Sequence, residues 1–181
     1  MRRGITLATI CAAAAFTIAG AQAADLSSAD KAFLKTAAEA NMTEAHLGKM
    51  AQDQASTDAV KNFGQTLVQD HTKAYDELTA VANKAGESIP KGIDVRKDHA
   101  IGLLSREKGT GFDRQFARHE VQDHERTIAE FRREADRGQN PDLKSYAQRM
   151  IPALEDHLHK AQELEKSEHQ TASASADRKS R

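Results

Sequence analysis

Four stretches of the chain repeat apolar positions at alternating spacings of four and three, the mark of a helix with one buried face. In the first, Phe33, Ala37, Ala40, Glu44, Leu47 and Ala51 share that face, with an end near Gln54. Ser27 or Ser28 can cap it, and Asp30 sits favourably in its first turn. The second runs Val60, Gly64, Leu67, His71, Ala74, Leu78, Val81, Ala85, between a cap at Ser56 or Thr57 and a closing Gly86. The third carries Ala117, Val121, His124, Ile128, Phe131 and Ala135, with Glu120 at the edge, from a cap at Thr110 to Gly138. The fourth opens on Asn140-Pro141, a capping side chain followed by proline at the first helical position. Its face is Leu143, Ala147, Met150, Leu154, His157, Ala161 and Leu164. Pro152 interrupts it, which predicts a kink about one turn before His157.

Narrow apolar faces on four helices are buried most economically in an antiparallel four-helix bundle. The connection from 87 to 109 is long enough to let the third helix begin at either end of it. Pro90 and Gly92 break helix at its start, and Gly109 and Gly111 at its end. Between them Val95 to Arg106 predicts a short helix, with Ile101, Leu103 and Leu104 as an apolar patch. Phe112 and Phe116, off the main face of the third helix, are placed to cover it. From Ser167 onward the chain is Ser, Ala, Gln and charge, which predicts a disordered tail over 167–181 and a domain spanning 27–166.

The N-terminus changes the compartment. Arg2 and Arg3 precede an apolar run from Ile5 to Ile18 and a small-x-small site at Ala21-Gln22-Ala23, which reads as a signal peptide over 1–23. The run is short for a membrane span, so the expectation is a periplasmic or secreted protein with no stable membrane insertion. Cleavage leaves 158 of 181 residues. It removes two of the 26 Lys and Arg and none of the 27 Asp and Glu, for a net charge of −3. That balance gives no electrostatic case for nucleic acid. The single Cys leaves with the leader, and with it any disulfide or thiolate chemistry.

One polar residue stands on each apolar face: Glu44, His71, His124 and His157. Glu44 and His71 lie 12 and 15 residues from the turn near Ser56; His124 and His157 lie 15 and 18 from the turn near Gln139. Each mismatch is roughly 4.5 Å of helix rise, so all four belong to one layer near mid-bundle. Unpaired buried polar groups cost about 1–3 kcal/mol each, so four together need a reason. Three imidazoles and a carboxylate suit one Zn²⁺, Fe²⁺ or Mn²⁺, with Glu120 as a second carboxylate or a ring-orienting group. A metal-free hydrogen-bonded layer that sets helix register satisfies the same pattern. His46, His119 and His159 fall off the faces and are expected in solvent, His119 beside Asp123 as a surface pair. His99 belongs to the crossover and His169 to the tail. No phosphate loop, nucleophile elbow or Cys nucleophile is present, so no catalytic residue is expected.

Glu44-x-x-Leu47-Gly48, Val60-Lys61-x-Phe63, Asp70-His71, Phe112-Asp113, Asp123-His124 and Pro152-x-Leu154-x-x-His157 together span most of the mature chain. In these pieces it resembles the bacterial exported domain-of-unknown-function family 4142, placed among ferritin-like bundles. The resemblance implies a periplasmic or cell-surface location and a long crossover between the second and third long helices. Ferritin-like di-iron sites carry Glu three residues before His on two helices. Here Val68 and Leu154 stand there, so at most one ion is expected. Two functions remain open. One is an exported bundle holding a single transition metal for metal handling or envelope stress protection. The other is a non-catalytic structural or interaction module with an unidentified protein partner.

Overall fold

The computed structural model describes residues 26–95 and 98–179. The candidate signal peptide lies outside them. The chain forms α1 (Ser28–Gln54), α2 (Asp58–Lys84), α3 (His99–Leu104), α4 (Thr110–Arg137) and α5 (Pro141–Lys179). The four long helices make a bundle in which α1 packs on α2 and α4 on α5, with α2·α5 and α1·α4 closing the ring.

The turns set the directions. Gly109, at the head of α4, donates its N–H to the carbonyl of Gln54 at the end of α1. The α4–α5 turn lies at the other end, where Gln139 N–H donates to Asp30 Oδ1 and Lys84 pairs with Asp142. Every neighbouring pair is therefore antiparallel, and the crossover runs the full length of the bundle. This is the ferritin-like arrangement. Among the described residues, no helix is long and apolar enough to cross a membrane.

Two buried aspartates pin the turns. Asp30 closes a capping box with Ser27 and also takes the Gln139 N–H. Asp113, in the first turn of α4, accepts from the Ser56 N–H, the Ser56 hydroxyl and the Thr57 N–H. Thr110 is not the cap of α4; Gly109 holds that position at φ 60° with no side-chain cap. The carboxylate of that first turn is spent across the bundle on the start of α2. The crossover helix is shorter than its apolar patch suggested, because Asp98 caps it late by accepting from Ile101 N–H. Ile101 and Leu104 are buried against Phe112 and Phe116, and Leu103 is left exposed. α5 passes Pro152 on its exposed face and continues to Lys179, beyond the boundary expected at 166. Ala, Glu, Lys and Gln in that stretch are good helix formers, and Glu168 is buried.

The core has two apolar halves. Leu34, Leu78, Phe131, Leu143 and Tyr146 fill one. Leu47, Val60, Phe63, Phe112 and Phe116 fill the other. The polar layer lies between them.

Candidate metal centre

His71 on α2, His124 on α4 and His157 on α5 converge there, each no more than 4% exposed. Their ring centroids are 5.3 Å apart for His71–His157 and His124–His157, and 5.9 Å for His71–His124. One ring nitrogen of each lies within 4.8 Å of those of the other two.

The second nitrogen of each ring is engaged with an acceptor. Asn41 donates Nδ2–H to the Ala37 carbonyl and to the Tyr146 hydroxyl, which fixes its Oδ1 towards His71. His71 Nδ1 therefore donates to that oxygen at 2.9 Å. His124 Nδ1 donates to the Glu120 carbonyl at 2.9 Å, and His157 Nε2 donates to Asp70 Oδ2 at 2.9 Å. The nitrogens left over are lone-pair bearing: His71 Nε2, His124 Nε2 and His157 Nδ1. All three are buried and have no hydrogen-bond partner. Rings anchored through one nitrogen and free at the other are how histidine ligands are held.

The fourth face residue is placed differently. Glu44, 3% exposed, falls with Glu120 and His124 in a second group whose ligand atoms also lie within 4.8 Å of one another. His124 is common to both groups. Glu120 is fully buried; its Oε2 lies 3.5 Å from His124 Nδ1, and neither of its carboxylate oxygens has a hydrogen-bond partner, nor has Glu44 Oε2. A cavity of about 30 Å³, room for one water-sized molecule, adjoins His71 and His157 beneath Met150 and Leu154.

The family model for Domain of unknown function (DUF4142) matches residues 15–164. The chain belongs to the DUF4142 family. The crystal structure of a DUF305 fragment from Deinococcus radiodurans is similar in fold, at TM-score 0.69 and 12% identity, covering 79% of this chain and 99% of that one. No curated protein matches this chain.

Electrostatics suit a cation in this DUF4142 core. Burial, then the neighbouring rings, holds His71 well below the ordinary imidazole range. Burial and His157 hold His124 down at about 4, and burial lowers His157. The rings are neutral at pH 7, as ligands must be. Burial pushes Glu120 up to about 8. Burial and the charges of Glu120 and Asp123 push Glu44 well above the carboxylate range. Two buried acids with no cation beside them retain protons; a divalent ion would reverse that.

Three residues of the site carry no signal in the face pattern. Asn41 lies one turn before Glu44; the buried face of α1 keeps Ala37, Glu44, Leu47 and Ala51 and adds Leu34, Asn41 and Gly48, while Phe33 and Ala40 are half-buried. Tyr146 supports Asn41 and donates to the Ala74 carbonyl. Asp70 projects beside α5 although its side chain is half exposed. His119 and His46 are half-buried rather than solvated; α3 packs on α4 and shelters His119. His159 and His169 are exposed.

Proposed function

We propose that this DUF4142 protein is an exported metal-handling bundle that holds one divalent transition-metal ion on His71, His124 and His157. Glu44 and Glu120 adjoin it through His124 and balance its charge. The observation that carries this reading is the set of three orphaned, inward-facing imidazole nitrogens, each on a ring anchored from behind. Three neutral imidazoles with an open further position suit Zn²⁺, Fe²⁺ or Mn²⁺. The apolar halves above and below the layer exclude water, so the ion would be retained rather than exchanged freely. Export through residues 1–23 would place that capacity in the periplasm, where it would serve metal storage or protection under envelope stress.

Mass-spectrometric metal analysis of the purified mature protein tests it. A stoichiometric ion that His71→Ala, His124→Ala and His157→Ala each reduce is the expected result. Metal content untouched by all three, or an empty protein whose melting temperature no Zn²⁺, Fe²⁺, Mn²⁺ or Cu²⁺ shifts, would overturn it.

One observation favours a second reading, a structural module with a metal-free polar layer. The His rings already pack edge-on against one another, a stable arrangement for neutral aromatics. On that reading His71→Leu with His157→Leu leaves the fold at least as stable and releases no ion.

A further inference from the structure

A cleft of about 230 Å³ opens between α1 and α4, on the side of the bundle where Glu44 lies. Among the described residues its walls carry Glu39, Glu44, Asp98, Asp123 and Glu130 against a single guanidinium, Arg126. The crossover closes one side, where the Thr43 hydroxyl donates to Asp98 Oδ2 at 3.2 Å. Two of these wall residues, Glu44 and Asp123, together with His119 one turn back on α4, bring one ligand atom each within 4.8 Å of one another. His119 and Asp123 are four residues apart on α4, the spacing that lets two side chains of one helix face grip one ion. Glu44 meets them from α1. It is 97% buried, and its Oε2 has no partner. Asp123 is engaged by Arg126 Nη2 at 2.7 Å and by the Thr127 hydroxyl at 3.4 Å. The Arg126 side chain is 61% exposed and free to swing out.

We infer that Glu44, His119 and Asp123 form a second, outer site for a divalent transition-metal ion, at the point where ions enter the bundle from the acidic cleft. Two carboxylates and an imidazole are donors for the same class of ion as the histidine centre. Glu44 belongs to both this group and the one with Glu120 and His124, so a continuous line of donors runs from solvent to the core. The outer site stands on its own residues; its role as an entry point rests on the central site proposed above. The cleft's charge raises the local cation concentration, and Arg126 opposes it.

Calorimetric titration and stopped-flow loading of the full mature protein with Co²⁺ test this. Wild type is expected to take two equivalents, one tight and one weaker. His119→Gln with Asp123→Asn should lose the weaker equivalent, keep the tight one, and load about tenfold more slowly. Arg126→Gln should load faster than wild type. His71→Leu with His157→Leu should lose the tight equivalent and keep the weaker. If the His119/Asp123 variant loads at the wild-type rate with unchanged stoichiometry, the outer site is wrong, whatever the core binds. If the His71/His157 variant keeps the tight equivalent, the central assignment fails, and the outer site is judged by the His119/Asp123 variant alone. Circular dichroism of each variant separates loss of a ligand from loss of fold.

Discussion

Asn41 decides which way His71 faces. Its amide is oriented by donation to the Ala37 carbonyl and the Tyr146 hydroxyl, so its oxygen takes the Nδ1 proton and Nε2 must carry the lone pair. Asn41→Ala leaves the ring without that anchor. Removal of such a supporting group lowers metal affinity about 10–100-fold, and competition against a chromogenic chelator should read a loss of that size. An unchanged affinity would mean that His71 is not a ligand. The acids of the layer make a second prediction, for metal-free protein. Glu120 is raised from 4.5 to about 8, so between those values the folded chain holds a proton that the unfolded chain releases, and stability falls as pH rises. Glu44 is raised too, and Glu134 adds to the slope up to about 7. His124 works in the opposite sense, since it is lowered from 6.5 to about 4. The unfolded chain takes up a proton there that the folded chain refuses, so stability falls as pH drops through that window. His71, His119 and His157 are lowered as well, so this opposing effect fades as pH rises past the ordinary imidazole value, and above it the carboxyl effect dominates. Melting temperature should therefore decline from pH 6.5 to 8, and Glu120→Gln should flatten the decline. A rise over that range would mean that the acids are ionised in the fold.

At the scale of the helices, the two hairpins are held by devices of different visibility. Asp113 serves three donors at the start of α2 from another helix. Asp113→Ala orphans the Ser56 and Thr57 N–H groups, and urea unfolding should show a loss of about 1–3 kcal/mol. α1 and α2 also approach backbone to backbone. A Cβ on Gly64 would meet Gly48 O at 2.6 Å and the Ala51 Cβ at 2.7 Å, neither of which can yield cheaply. Gly64→Ala should therefore cost about 1–3 kcal/mol as the helices are pushed apart. Gly64 stands on the predicted face of α2, so periodicity placed it in the interface, but not that the interface is this close. The helices themselves were readable because their apolar spacing and caps agree; Asn140, for instance, caps α5 as its position before Pro141 implies. Asp113 lies in the first turn of α4, where an acid ordinarily serves its own helix, and only the tertiary arrangement turns it onto α2. The predicted line of α1 is buried at Ala37, Glu44, Leu47 and Ala51, but the buried face is wider and takes in Leu34, Asn41 and Gly48, where a polar Asn gives no apolar signal. Alanine-rich helices give a weak signal for which of two adjacent lines faces inward.

The whole molecule is two apolar half-cores joined through a polar layer, and the depth count of Glu44, His71, His124 and His157 reaches that layer without the fold. It does not reach the grouping within the layer. That Glu44 lies with Glu120, and the three rings with one another, depends on α1 and α4 being neighbours and on the crossover carrying the chain back to the end where α1 finishes, so that α4 begins there. The layer also governs stability as a unit. Without an ion, three inward nitrogens and three carboxylate oxygens go unpartnered in the middle of the core, so the halves are joined at their weakest plane. An ion that binds only the folded chain would add about 2.7 kcal/mol at a hundred times its dissociation constant. For a domain of this size that is roughly 2–4 °C of melting temperature per kcal/mol. The His71→Leu, His157→Leu variant removes two of the orphans and fills the plane with apolar volume, so its metal-free form should melt at or above the metal-free wild type. It should also ignore the ion. Calorimetric scans of both proteins, with and without Zn²⁺, compare the four states directly. A wild type that gains nothing from the ion, beside a variant at least as stable, would identify the layer as a metal-free structural one rather than a seat for a metal.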